Sequence, residues 1–147
     1  MPSKHLDIDK GFIADLAFGE HAENDVQEVL LNMAQGHVEV KADRYRNGRM
    51  FVETEHNPRA RRDSNGDRIW ELSGINVTHA TWWIYVVAPN CMHVIPVQRL
   101  KNYLRLNRNK LRKTYAGSAD NYAHGYLLMP DQVLDMMLNA DYDIIND

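Results

Sequence analysis

The stretch His37-Val38-Glu39-Val40-Lys41-Ala42-Asp43 alternates apolar and charged residues, which fits a strand with two unlike faces and does not fit a helix. Side chains two apart share a face, so Glu39, Lys41 and Asp43 project together while Val38, Val40 and Ala42 point the other way. Residues 50–55, Met-Phe-Val-Glu-Thr-Glu, read as a second strand, and Asn47-Gly48 between the two signals a hairpin. A two-residue turn would pair Ala42 with Glu53 and set the apolar residues of the two strands on opposite faces, a slip that burial of one face selects against. A three-residue loop, Arg46-Asn47-Gly48, with Gly48 left-handed in a bulge, cures the conflict. Lys41 then lies opposite Glu53 and Glu39 opposite Glu55. The expectation is an antiparallel hairpin with Glu39, Lys41 and Glu53 on one face.

The rest of the chain supplies the layers around such a sheet. Val26, Leu30 and Met33 recur at helical spacing until Gly36 stops them. Residues 57–68 hold Pro58, Gly66 and four arginines and read as a mobile loop. A short helix is expected near residues 73–78, then strands at 83–87 and 92–97 joined at Asn90, a basic helix over 98–113, and a short helix opened by Pro130-Asp131. This order predicts an α/β (α+β) fold: a central mixed or antiparallel sheet with a β-hairpin, flanked by helices. One domain over residues 1–147 is expected, with a core at about 12–113 and an acidic C-terminal extension at 114–147.

Composition excludes several classes. The longest apolar runs are too short to cross a bilayer, and the opening residues carry no apolar core of a signal peptide, which together predict a cytoplasmic protein with no membrane partner. A single cysteine, Cys91, forms no internal disulfide and no multi-cysteine zinc site.

The net charge of -3 hides a strong asymmetry. Residues 1–40 carry eight acids and two bases, residues 41–113 carry fifteen bases and six acids, and residues 114–147 carry six aspartates and no base. A basic middle between acidic ends points to a polyanion partner. Arg44, Arg46, Arg59, Arg61 and Arg62 are the candidate phosphate contacts of the hairpin and its loop, and the seven bases of residues 98–113 divide evenly between phosphate contact and a solvated helix face.

Three carboxylates and a lysine on one sheet face repel unless a divalent cation neutralises them. Oxygen donors suit Mg²⁺ or Mn²⁺, which keep waters for a phosphate substrate. A metal-held phosphate beside an ammonium is an arrangement for phosphodiester hydrolysis.

Glu39-Val-Lys41-x-Asp43, a glycine turn, Met50-Phe-Val-Glu53 and Ser73-Gly-Ile-x-x-Thr78-x-Ala80-x-Trp82-Trp83 together resemble the small phage-type members of the PD-(D/E)XK nuclease superfamily, including Holliday-junction-resolvase-like ones. The likeness runs from about Leu16 to Leu100. It implies Glu39 as a metal ligand, Lys41 as the catalytic lysine and Glu53 as a second metal ligand. It also implies a glutamate on the first helix. Glu23 matches, lying about 60° around the helix from Val26, and is preferred to Glu20. The superfamily's motif aspartate has no counterpart on a preceding strand here, which leaves its role to Glu53, Asp43, a helix acid or none. The resemblance implies an Mg²⁺- or Mn²⁺-dependent DNA endonuclease, and cutting both strands favours a homodimer. Two alternatives stand beside it: a catalytically inactive nucleic-acid-binding domain of the same fold, and a protein-interaction domain. The seven histidines show no ligand spacing, and Trp82, Trp83 and Tyr85 read as core.

Overall fold

In a computed structural model the backbone of residues 5–144 and the side chains of residues 10–144 are described; the first four residues of the stretch read for a leader lie outside them. The chain divides into two compact units, Met1–His37 and Val38–Asp147. The first is a single long helix, α1 (His5–Ala34), closed by Gly36 in the left-handed conformation at φ 75°. Phe12, Ile13, Leu16, Val26 and Leu30 are all exposed on it. None of the described helices is long and apolar enough to cross a membrane.

The second unit is α+β and holds two sheets. One is mixed, in the order β1-β4-β5, built from β1 (Val38–Ala42), β4 (Trp82–Ala88) and β5 (Cys91–Pro96). The other is antiparallel, in the order β3-β2-β7-β6, built from β2 (Met50–His56), β3 (Glu71–Leu72), β6 (Arg112–Ala116) and β7 (Ala123–Leu128). Helices α2 (Val97–Asn107) and α3 (Pro130–Leu138) complete it. The core joins Met50 and Val52 of β2, Trp83 and Tyr85 of β4, Ile95 of β5, Leu100 and Tyr103 of α2, Leu128 of β7 and Met136 of α3. Each such side chain taken fully out of water contributes roughly 1.5–3 kcal/mol.

The expected hairpin between β1 and β2 does not form. β1 pairs in parallel with β4, with Glu39 beside Trp83 and Lys41 beside Tyr85, while β2 pairs with β3 and β7. The turn chemistry expected there holds at the level of the backbone, since Gly48 is left-handed at φ 76°. Its use differs: Asp43 Oδ1 accepts from Tyr45 N at 2.7 Å and Asn47 Oδ1 from Arg49 N at 3.0 Å. These two local turns carry the chain from one sheet to the other without folding it back. Non-local partners for both strands outweigh the local turn signal, as strand pairing commonly does.

Three further expectations change. The basic helix ends at Asn107, where the weak helix formers Asn107 and Asn109 flank Arg108, and residues 112–116 become β6. The segment expected to be an extension supplies β7, which sits between β2 and β6 at the centre of its sheet. The loop at 57–70 is pinned: fully buried Asn57 donates from Nδ2 to the carbonyls of Arg61 and Ile69, both at 2.8 Å, and accepts from Arg68 at 2.6 Å.

Candidate functional site

β1 is an edge strand, and its alternation is inverted relative to the expectation. Because Glu39 aligns with Trp83 and Lys41 with Tyr85, the charged side chains lie on the face of β4 that carries the core residues Trp83 and Tyr85, while Val40 is 57 % exposed. Glu39 and Lys41 are each 35 % exposed and form an ion pair of 2.9 Å, with Lys41 Nζ 5.7 Å from the Trp83 ring centroid. A half-exposed pair of this kind adds about 1 kcal/mol or less to stability. Asp43 shares the face; its Oδ2 is buried without a partner among the described residues, and its charge adds to the effect of burial in raising the pKa of Tyr85.

Glu53 stands apart from that face. It belongs to β2 in the other sheet, on the side opposite the core residues Met50 and Val52. Backbone pressed against it explains Gly74, where an added Cβ would sit 2.3 Å from the Glu53 carbonyl oxygen. Glu53 and Glu55 do not share a face either, because a bulge between them rolls the strand by one residue. Glu23 is exposed on α1 in the first unit, and the Val26 and Leu30 expected to mark a core-facing stripe there are exposed as well. Among the described residues no three His, Cys, Asp or Glu side chains are grouped to hold a metal ion. The Glu39 carboxylate is held by Lys41 and Glu53 belongs to another sheet. The described donors therefore do not fit a Mg²⁺ ion held through several carboxylates.

The five arginines expected to contact phosphate divide. Arg61 pairs with Glu71 at 3.3 Å and Arg62 donates to the Gly66 carbonyl at 2.7 Å, so both help shape their loop. Arg44, Arg46 and Arg59 are exposed and make no side-chain hydrogen bond among the described residues.

The strongest basic feature lies on α2. Lys101 and Arg105 of α2 and Arg108, the residue that caps it in helical conformation, follow one another at four- and three-residue steps, hence on one face. They line a cleft of about 340 Å³ with Asn76 and Tyr126. Arg99 faces elsewhere: it donates to the carbonyls of Met136 and Asn139, at 3.1 and 2.8 Å, and pairs with Asp143. Beside the cleft lies a second cavity of about 420 Å³, and Ile75, Asn76, Leu104 and Tyr126 line both.

In that second cavity lies a pair that the spacing of histidines does not reveal. His124 Nδ1 is 2.7 Å from Glu55 Oε1. An ionised carboxylate only accepts, so Nδ1 carries the proton and donates. Trp70 stacks on the imidazole at 3.5 Å between centroids, and Tyr115 meets it edge-on at 4.3 Å. The alternation Ala123-His-Gly-Tyr-Leu-Leu128, within the segment expected to be an acidic extension, is the signal available for β7 and for His124 on its inner face. Compared with known proteins, the chain matches no family model, no curated protein and no solved structure.

Proposed function

We propose that this protein binds nucleic acid through the cleft between α2 and the antiparallel sheet. The observation that carries the reading is the row Lys101, Arg105 and Arg108 on one helix face, lining a cleft that also holds Tyr126 and Asn76. Three cations in line track a phosphate backbone, and an aromatic ring beside them offers a stacking surface for bases. The acids of the chain lie mostly in residues 1–40 and 114–147, which concentrates positive charge in the segment that forms this wall.

The test is salt dependence. A single-stranded oligonucleotide is titrated by fluorescence anisotropy over a range of NaCl concentrations. Replacing Lys101, Arg105 and Arg108 together by Ala should weaken binding at every salt. It should also lower the slope of log K against log salt by about 2, as expected when up to three phosphates are no longer neutralised. An unchanged slope would remove the cleft from the nucleic-acid reading.

A second reading keeps the resemblance to PD-(D/E)XK nucleases, with phosphodiester hydrolysis at Glu39 and Lys41. What favours it is the placement of both side chains, half-buried, on the face shared with Trp83 and Tyr85. The donors described do not fit the metal, so no step through a metal is assigned. Cleavage of linear and branched DNA with Mg²⁺, Mn²⁺ or EDTA tests it. Lys41→Ala should lower a metal-dependent activity by about a hundredfold, the usual cost of losing one charge-stabilising group. No cleavage by the parent on any substrate would leave the binding reading alone.

A further inference from the structure

We infer that the cavity behind the phosphate row is a nucleotide subsite that selects a base bearing an exocyclic amino group; the inference rests on the nucleic-acid reading above. Its volume, about 420 Å³, is in the range of cavities that enclose small organic ligands and is ample for one nucleotide. It adjoins the cleft of Lys101, Arg105 and Arg108, and Asn76 and Tyr126 line both. A strand whose phosphates follow the α2 row therefore has a cavity beside it for one base.

The wall chemistry decides which base. Tyr126 supplies ring surface at the junction, and Lys113 Nζ stands 5.9 Å from its centroid, on the cavity wall, where it meets a phosphate or the ribose edge. Three polar groups on one part of the wall, Glu55, Asn76 and Thr54, offer acceptors. Glu55 is a carboxylate, oriented by the proton it receives from His124 Nδ1, which Trp70 and Tyr115 hold in place. Asn76 spends Nδ2 on the Thr54 carbonyl at 2.9 Å, while its Oδ1 has no partner among the described residues. Thr54 in turn donates its hydroxyl to the His124 carbonyl at 3.3 Å, so it offers a base lone pairs and no proton. These three acceptors are complementary to a base edge carrying an amino group, as a carboxylate is to the cytosine N4 amine. Thymine presents the O4 carbonyl oxygen where cytosine presents the N4 amine, and the carboxylate repels it.

Glu55 reaches this wall only through the bulge. Without the extra residue between Glu53 and Glu55, Met50, Val52 and Thr54 would share the inner face and Glu55 would turn outward with Glu53. A bulge that re-aims one side chain into a cavity is a recurrent device at binding sites.

The experiment compares dC12 with dT12, two pyrimidine strands of equal charge and weak self-stacking, by anisotropy at matched salt with the full-length chain. The expected result is tighter binding of dC12 by about fivefold or more, the lower range for one good base-edge contact, with equal salt slopes for the two strands. Glu55→Gln, which replaces an acceptor by a donor at constant shape, should bring the ratio to about one. Circular dichroism establishes that the variant is folded; if it is not, the ratio measured on the parent decides alone. Salt-dependent binding with equal affinity for dC12 and dT12 would overturn the subsite and leave the phosphate cleft standing. No salt-dependent binding of either strand would overturn the cleft, and the subsite with it.

Discussion

Glu55 Oε1 lies 2.7 Å from His124 Nδ1 because one residue too many is threaded into β2. Glu53 pairs with Gly125 and Glu55 with the adjacent His124, so Thr54 has no partner in the ladder. Its carbonyl is used all the same, accepting from Ser73 N at 3.0 Å and Asn76 Nδ2 at 2.9 Å. The bulge thus does two things at once: it seats the turn at Gly74–Asn76 and it turns a carboxylate toward the inner face of the sheet.

His124→Ala should destabilise the second unit by about 2 kcal/mol. It removes a charge-assisted hydrogen bond to Glu55 and the ring that Trp70 and Tyr115 pack on, each worth about 1 kcal/mol. Urea unfolding measures it. A change below a few tenths would mean that the aromatic stack stands without its imidazole.

Gly125→Ala should cost more, about 3 kcal/mol or above, although it adds one methyl. An added Cβ would sit 2.2 Å from the Val52 carbonyl oxygen and 2.8 Å from the Phe51 ring, between two paired strands that cannot separate without losing the ladder. A midpoint in urea equal to that of the parent would contradict this packing.

Arg99→Ala and Lys101→Ala should separate folding from binding on one helix. Arg99 satisfies two carbonyls at and just past the end of α3 and pairs with Asp143, so its loss should lower stability by about 2 kcal/mol. Lys101 lines the cleft, and its loss should leave thermal unfolding within about 0.5 kcal/mol while weakening oligonucleotide binding. The reverse pattern would place the cleft on the wrong side of α2.

Tyr103 sets an alkaline limit. Burial, with the nearby charges of Asp135 and Asp131 and the neighbouring Tyr142, pushes its hydroxyl up to about 12. The folded state holds that proton more tightly than the unfolded chain, whose tyrosine titrates near 10. The stabilisation is therefore present in full below about pH 10 and is lost as pH rises from there to about 12, on the order of 2 kcal/mol. Tyr103→Phe should flatten stability over that window, as urea unfolding at pH 9 and at successive higher values would read.

Local chemistry is legible in the sequence wherever neighbours along the chain settle it. Glu39, Lys41 and Asp43 share a strand face because a strand has a period of two, and Gly36 and Gly48 are left-handed because a glycine, with no Cβ, takes that conformation without strain. Asn90, at φ 56°, turns β4 into β5 as its place between two apolar runs predicts. The α+β class follows from the same local patterns.

What the sequence could not decide is which strand each strand meets. β1 and β2 are separated by a turn that suits a hairpin, yet each has a better partner far along the chain, in β4 and in β7. Such pairings are settled by how much apolar surface the whole core buries, a sum over residues as distant as Met50 and Met136. From that choice follows everything that distinguishes the candidate site: Glu39 and Lys41 on the face shared with Trp83, Glu53 in another sheet, and a bulge at Thr54 that hands Glu55 to His124. A period of two tells which side chains share a face, and only the tertiary fold decides what that face meets.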